Sequence, residues 1–184
     1  MEYHGTQFSL TCLQDEDAVS LHKMMRDNAS RFASFLPKTL AQNRTLQQSK
    51  AYISNKRSEW QQGLSFTFAL KSQHGDIAGL IILKNLLLEK HQAEFAYCIS
   101  EKFGRKGWIS QAVGEAVALA EMTLKIENFQ IIAHCDNYAS VKVAKNNGFC
   151  WTKTLVNAFY TLDGQPIDME LYELQLPKKR SNLG

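Results

Sequence analysis

Apolar and polar residues alternate over several short stretches of the chain, a period of two that is typical of half-buried β-strands. Residues 64–72, LSFTFALKS, alternate strictly, and the apolar run IAGLIILKNLLL follows after the turn HGD. These two stretches predict a β-hairpin. We expect five further strands, in the stretches TQFSLTCL, AEFAYCIS, FQIIAHC, CWTKTLVNAFYTL and IDMELYELQL.

Four other stretches carry apolar residues at the spacing of an α-helix. Residues 15–36 have acidic residues in the first turn, and Pro37 is expected to end this helix. Residues 46–63 form the second amphipathic stretch and end at a glycine. The third helix begins within EKFGRKGWISQAVGEAV, at residues 101–117, and the fourth, residues 136–149, runs from good N-cap residues to an Asn-Gly.

The predicted order of elements, β-α-α-β-β-β-α-β-α-β-β, is that of one α+β domain. A chain of 184 residues is long enough for one domain with a proper core. We expect this domain to span residues 1–176, and residues 177–184 to form a basic C-terminal tail. The β-α-β crossover between AEFAYCIS and FQIIAHC predicts that these two strands are parallel.

Composition and charge exclude some classes of function. Hydrophobic residues make up 45% of the chain and charged residues 21%, which is ordinary for a globular protein. The net charge of +3 is too small to argue for nucleic acid, and the basic tail is expected to be a frayed terminus. No apolar stretch approaches the roughly 20 residues that a membrane span needs. We therefore expect a soluble cytoplasmic protein with no direct nucleic-acid partner and no membrane partner.

The four cysteines, at positions 12, 98, 135 and 150, form no C-x-x-C pair. The histidines keep no metal-ligand spacing with them. We expect buried free thiols in a reducing compartment, and no metal site.

The segment EKFGRKGWISQAVGEAV has the composition of a phosphate-binding turn. Gly104, Arg105, Lys106 and Gly107 stand before the third helix, whose N-terminus offers free N–H groups and a partial positive charge. Glycines let a ligand approach the backbone closely. The patterns G-x-G-x-x-G and G-K-[ST] are absent, which excludes the usual dinucleotide and nucleoside-triphosphate loops. Taken by itself, the segment fits either a phosphate site or a plain surface turn.

Four motifs follow one another along the chain, namely AEFAYCI, GRKGWISQA, DNYAS and NNGF. In this order and spacing the sequence resembles the GNAT superfamily of acetyl-CoA-dependent N-acetyltransferases, over nearly its whole length. The branch that it resembles most is the ribosomal-protein-serine N-terminal acetyltransferases. That resemblance implies an α+β GNAT fold with a mixed central β-sheet of about seven strands and four helices. Two parallel strands would splay apart to admit acetyl-CoA.

Three positions depart from the family pattern. Gly104 and Arg105 stand where the family usually has Gln and Gly, so we expect Gly104 to take over the turn that the family gives to the next residue. Ala96 replaces the usual glycine before Tyr97. Backbone amides supply most of the cofactor contacts in the family, and binding is therefore expected to survive these changes.

The resemblance also implies which residues bind acetyl-CoA. Backbone N–H groups in the turn and the start of the helix would bind the pyrophosphate, and the pantetheine arm would pair with the strand AYCIS like an added strand. Asn137 would donate to the pantetheine, in addition to its role as a helix N-cap. The expected cofactor-binding residues are Tyr97, Cys98, Ile99, Phe103, Gly104, Arg105, Lys106, Gly107, Trp108, Ile109, Asn137 and Ser140.

Acetyl transfer to an amine needs a base for the amine proton, a donor for the oxyanion and a proton for the thiolate. A backbone N–H near Cys98 or Ile99 would serve the oxyanion. Ser140 matches the serine that the branch places near the CoA sulfur, and we expect it to be the proton donor; a first-turn serine without a catalytic role is the alternative. Many GNAT enzymes have a tyrosine at the position of Ala144 instead.

In the branch that the chain resembles, a glutamate is the proposed base, and Phe159 occupies its position here. Glu94 is the next candidate and would act through a water. The alternative is a structural or substrate-contact role for Glu94.

The acceptor would be a primary amine, either the N-terminus of a ribosomal protein or a small amine such as a polyamine or an antibiotic, with direct transfer in a ternary complex. Few acids, namely Glu59, Glu94 and Asp163, are expected near the acceptor, which disfavours a polycation. A non-catalytic acyl-CoA-binding module is a further alternative. We expect a monomer or a homodimer.

Overall fold

The computed structural model describes residues 1–161 and 164–177. Eight strands in these residues form one sheet, and the seven predicted strands are all among them. The additional strand is a two-residue edge strand at the N-terminus. The predicted basic tail lies outside the described residues, apart from Pro177. The strands are β1 (Tyr3–His4), β2 (Phe8–Cys12), β3 (Phe66–Ser72), β4 (Ile77–Leu87), β5 (Gln92–Ile99), β6 (Asn128–Ala133), β7 (Cys150–Tyr160) and β8 (Pro166–Gln175).

Six α-helices lie in the described residues, because the first predicted helix is divided into two and a further short helix begins at Pro37. No helix in this part of the chain is both long and apolar enough to span a membrane. The helices are α1 (Ala18–Asp27), α2 (Ala29–Phe35), α3 (Pro37–Ala41), α4 (Leu46–Gln61), α5 (Trp108–Leu124) and α6 (Tyr138–Asn146).

Asn28 separates α1 from α2 through contacts to a distant part of the chain. Its Nδ2 donates to the carbonyl oxygen of Met24 at 2.8 Å and to Ser100 Oγ at 3.2 Å, and its Oδ1 accepts the N–H of Glu101 at 2.8 Å. The expectation that Pro37 ends the helical region is wrong in part. Helix α2 does end before it, but Pro37 is the first residue of α3, a position where a helix needs no N–H donor.

The sheet has the order β1-β2-β3-β4-β5-β6-β8-β7, and all its pairs are antiparallel except β5 with β6. The parallel pairing runs only from Gln92↔Asn128 to Phe95↔Ile131. Beyond Phe95, β5 continues along β4 as far as Ile99, while β6 follows β8. The two parallel strands therefore separate toward their C-terminal ends, which confirms the splayed GNAT fold.

Two groups of buried side chains pack on opposite faces of the sheet. One contains the apolar face of α5, and the other contains residues of α1 and α4. Because side chains alternate along a strand, Phe95 of β5 joins the first group and Cys98 the second. Helices thus cover both faces of the sheet near the point where β5 and β6 separate.

Asn147, in the NNGF motif, ties α6 to the first turn of α5. Its Nδ2 donates to the carbonyl oxygens of Val143 at 2.9 Å and Ser110 at 3.0 Å. Gly148 has a φ of +78° and ends the helix, and Phe149 is buried in the core. The motif therefore fixes the C-terminal end of α6 relative to the start of α5, beside the gap between the parallel strands.

Candidate active site

A cavity of about 460 Å³ opens where β5 and β6 separate. Four segments line it: α2, the end of β5, the turn that leads into α5, and the first turns of α6. Ten of the predicted cofactor-binding residues lie in its wall. They are Tyr97, Cys98, Ile99, Phe103, Arg105, Gly107, Trp108, Ile109, Asn137 and Ser140.

The N-terminus of α5 faces this cavity without a side-chain cap. Its N-cap residue is Gly107, which has a φ of +76° and no side chain to accept the first N–H groups of the helix. A Cβ placed on Gly107 would meet no atom within 4 Å, so the space beside this backbone is open. Free N–H groups and a partial positive charge at this end suit an anion.

The turn before α5 differs from the expected one. Gly104 has an extended conformation with a φ of −63°, and it is Arg105 that takes the left-handed conformation, with a φ of +60°. The expectation that Gly104 takes over this turn is therefore wrong. Gly104 serves close packing instead, because a Cβ there would lie 3.2 Å from the carbonyl oxygen of Glu101. A non-glycine residue in the left-handed region costs on the order of 1 kcal/mol.

Two predicted residues of this turn do not line the cavity, Gly104 and Lys106. The Lys106 ammonium lies 5.6 Å from the ring centroids of both Phe103 and Trp108, so it covers aromatic rings rather than the open space.

Three cationic side chains line the cavity, namely Arg31, Arg105 and Lys142. Sequence reasoning found only Arg105. Lys142 could have been found from the sequence, because it lies two residues after Ser140 in the same short helix. Arg31 lies in α2, 66 residues before Tyr97 in the chain, and only the tertiary fold brings it to the site.

Ser140 and Tyr97 form a pair of hydroxyl groups in the wall of the cavity. The two oxygens are 2.8 Å apart, and the Tyr97 hydroxyl lies 3.2 Å from the Ser140 carbonyl oxygen. Burial raises the pKa of the Tyr97 phenol to about 12, so this group is a proton donor at neutral pH. Asn137 Oδ1 accepts the N–H of Ser140 at 3.2 Å, which is the predicted N-cap contact.

The four cysteines are free thiols, but the expectation that they are buried is wrong for most of them. Cys12 is half-buried, and Cys135 and Cys150 are exposed. Cys98 is buried, which raises the pKa of its thiol to about 12 and keeps it protonated. Its side chain is therefore a small apolar group, and its backbone is what a ligand can use.

Glu94 lies apart from the cavity, in the part of β5 that is still paired with β6. Its carboxylate accepts from Lys84 Nζ at 2.8 Å and from Asn85 Nδ2 at 2.7 Å, and only 12% of the side chain is exposed. Cys98 is four residues further along the strand, about 13 Å at the usual rise. A proton path from Glu94 to the cavity would need a chain of waters.

A second cavity of about 410 Å³ adjoins the first, and Phe35 and Asn137 line both. Its walls are largely apolar and include Ile132, Phe159 and Met169. Among the described residues, no Asp, Glu, Lys or Arg lines this space. Phe159, which the family resemblance puts at the position of the branch's glutamate, is thus one of the residues that line the second cavity.

Comparison with known proteins gives a family and a set of similar folds. A family model described as acetyltransferase (GNAT) domain matches residues 8–150. Comparison with curated proteins finds no match. RimL, a ribosomal L7/L12 alpha-N-protein acetyltransferase solved in complex with coenzyme A, is 19% identical, with a TM-score of 0.87 over 94% of this chain and 96% of that one.

Two further solved structures have the same fold. The ribosomal-protein-S5-alanine acetyltransferase from Vibrio fischeri is 18% identical, with a TM-score of 0.87 over 95% of this chain and 96% of that one. An acetyl transferase from Salmonella typhimurium that modifies the N-terminal serine of 50S ribosomal protein L7/L12 is 20% identical, with a TM-score of 0.86 over 96% and 100%.

Proposed function

This chain belongs to the GNAT family of acetyl-CoA-dependent N-acetyltransferases, and we propose that its acceptor is the N-terminal amine of a ribosomal protein. Transfer would be direct, in a ternary complex of protein, acetyl-CoA and acceptor. The observation that carries this proposal is the pair of adjoining cavities. One has an uncapped helix N-terminus and three cations for a phosphorylated ligand. The other, which would receive the acceptor, is lined by no Asp, Glu, Lys or Arg from residues 1–161 and 164–177.

The first cavity has the chemistry that a CoA ester needs. The N–H groups at the start of α5 suit the pyrophosphate, and Arg31, Arg105 and Lys142 suit its negative charges. Beyond Phe95, the edge of β5 that faces β6 pairs with no strand in the described part of the chain, so its backbone groups can pair with the pantetheine amides. The residues from Tyr97 to Ile99 would contact that arm.

Replacing Arg105 with alanine should weaken acetyl-CoA binding about tenfold. The variant removes a cation from the cavity wall but keeps a non-glycine residue at the left-handed position. Lys106→Ala is the matched control, because this neighbouring cation lies over aromatic rings and should change the affinity less than twofold. Isothermal titration calorimetry at low and high salt measures the acetyl-CoA affinity of both variants. The loss of affinity in Arg105→Ala should become smaller as the salt concentration rises. Equal losses in the two variants would contradict the assignment.

The transfer step can be written with the groups in the walls of the cavity. The neutral amine attacks the acetyl carbonyl, the new N–C bond forms, and the C–S bond breaks. A backbone N–H near Cys98 or Ile99 would stabilise the oxyanion, and the base would accept the proton that the amine nitrogen loses. The Ser140 hydroxyl would give a proton to the leaving thiolate and take one back from water. Because a thiol has a pKa near 8.5, a weak donor such as a hydroxyl suffices.

Glu94 is our candidate for the base, acting through waters. Glu94→Gln should lower kcat, because the amine proton then has no carboxylate to accept it, with nearly unchanged acetyl-CoA affinity. Lys84→Met is the control, because it removes the ion pair but leaves the carboxylate, and it should keep most of the activity. If both variants lose activity equally, the ion pair matters for structure. If Glu94→Gln has the wild-type kcat, Glu94 is not the base.

The second cavity favours a peptide end over a polycation as acceptor. A polyamine would need carboxylates around its ammonium groups, and none lines this cavity among residues 1–161 and 164–177. The ribosomal assignment is supported by the known acceptors of proteins with the same fold, at 18–20% identity. We also propose a cytoplasmic protein, monomeric or homodimeric, without a direct nucleic-acid partner.

Mass spectrometry of the ribosomal protein fraction from a deletion strain tests the acceptor. We expect one ribosomal protein to lose its N-terminal acetyl group and to regain it on complementation. An unchanged set of N-termini would refute the ribosomal assignment. In vitro, release of free CoA thiol from a mixture of protein, acetyl-CoA and ribosomal proteins would exclude a module that only binds acyl-CoA.

A further inference from the structure

His134 is the imidazole of the second cavity, and its two ring nitrogens have different roles. It follows the last residue of β6, and its side chain is 31% exposed. Nδ1 accepts the backbone N–H of Asp136 at 3.2 Å. A ring nitrogen that accepts a hydrogen bond carries no proton in the neutral imidazole, so the proton lies on Nε2. No partner of Nε2 is found among the described residues.

The consequence is an N–H donor in a wall that combines the apolar side chains of Ile132, Phe159 and Met169 with the polar side chains of Ser34, Asn137, Tyr160 and Thr161. In the part of the chain that the structure describes, none of these polar side chains is hydrogen-bonded to Nε2, which leaves this donor free for a ligand. Neither an amine in its ammonium form nor an alkyl chain offers an acceptor to Nε2–H. A carbonyl oxygen does. The Nε2–H of His134 is therefore complementary to an acceptor molecule that carries a carbonyl close to its amine.

The position of His134 relative to the first cavity agrees with this reading. The backbone N–H of Asn137 donates to the carbonyl oxygen of His134 at 2.9 Å, so the two residues lie in one tight turn. Asn137 lines both cavities and marks the place where they meet. In a peptide, one carbon atom separates the terminal amine from the first carbonyl group. An amine at the junction would bring that carbonyl to the adjacent wall.

We propose that His134 determines acceptor specificity by donating Nε2–H to the first carbonyl oxygen of a peptide acceptor. This inference rests on the proposed function, because it assumes that the second cavity receives the amine. It assigns to His134 the role of a hydrogen-bond donor. A general base in this cavity would need an unprotonated nitrogen toward the amine, and the contact from Asp136 leaves the proton on Nε2.

Steady-state kinetics with two acceptors tests the proposal. One acceptor is a short peptide with uncharged first residues, and the other is hexylamine, which has an amine and no carbonyl. His134→Ala should lower kcat/KM for the peptide about tenfold, the upper range for one hydrogen bond, and change kcat/KM for hexylamine less than twofold. If the wild-type protein acetylates the peptide and no hexylamine, its preference for an acceptor with a carbonyl is complete. EDTA is present throughout, because donor atoms of His134, Cys135 and Asp136 lie within 4.8 Å of one another and could gather a metal ion.

His134→Gln separates a donor from a base. The glutamine amide can place an N–H near the position of Nε2 but cannot take up a proton at neutral pH, so this variant should recover peptide activity to within about threefold of wild type. A glutamine variant as impaired as the alanine variant would overturn the proposal. So would equal losses for peptide and hexylamine in His134→Ala.

Two controls keep this test apart from the test of the proposed function. The melting temperature and acetyl-CoA affinity of both variants should match those of the wild type, because His134 does not line the first cavity. A wild-type protein that acetylates no amine overturns the proposed function and this inference with it. If the wild-type protein acetylates the peptide and the His134→Ala variant does so equally well, the inference alone is overturned.

Discussion

Replacing Ser140 with alanine should lower kcat about 100-fold while the affinity for acetyl-CoA changes little. The Ser140 hydroxyl lies 2.8 Å from the protonated Tyr97 hydroxyl, in the wall of the first cavity, and we assign it as the proton donor to the thiolate. General acid catalysis contributes typically 10²–10⁴-fold, and the low end applies because a thiolate is a good leaving group. A thiol-release assay at saturating substrates measures the loss.

Ser110→Ala is the matched control for this substitution. Ser110 is also a serine in the first turn of a helix that lines the same cavity, but its hydroxyl contacts Asn147 at 3.3 Å. It should keep nearly full activity. Tyr97→Phe removes the hydroxyl that contacts Ser140 and should give a smaller loss than Ser140→Ala. A Ser140→Ala variant with the kcat of the wild type would show that the thiolate leaves without this proton.

Replacing Gly107 with valine should raise the dissociation constant of acetyl-CoA 100-fold or more. The backbone of Gly107 is left-handed, which a β-branched residue tolerates poorly, so the turn must change shape. The new side chain also enters open space beside the first N–H groups of α5, where the pyrophosphate would lie. Calorimetry with acetyl-CoA measures the change directly.

Gly63→Val separates this local effect from general strain. Gly63 follows α4, has a φ of +68°, and has no atom within 4 Å of an added Cβ, but it does not line the first cavity. Both variants should lose about 1 kcal/mol or more of stability, since both force a side chain into a left-handed position. Only Gly107→Val should lose acetyl-CoA affinity. Equal affinity in the Gly107→Val protein and the wild type would remove the phosphate site from the account.

The strands and the gap between β5 and β6 could be predicted because their signals are local. Alternation of apolar residues marks each strand, and a crossover helix implies a parallel pair. The order of the four motifs predicted twelve cofactor-binding residues, and ten of them lie in the wall of one cavity.

The errors arise where contacts join residues that are far apart in the chain. Asn28 divides the first helix because it bonds to Ser100 and Glu101, more than 70 residues away. Arg31 reaches the cavity through the same packing. The predicted conformation of the turn before α5 is wrong because close contact with Glu101 fixes Gly104 as extended. The left-handed conformation is therefore left to Arg105. No periodicity in the sequence reports such contacts.

Transfer of an acetyl group to the N-terminal amine of a ribosomal protein can be observed directly with purified components. Purified protein is incubated with acetyl-CoA and unacetylated ribosomal proteins, and tandem mass spectrometry locates any new acetyl group. We predict one ribosomal protein acetylated on its N-terminal amine, with an equal amount of CoA thiol released. Acetyl-CoA that binds but yields neither an acetylated N-terminus nor free thiol would contradict the account.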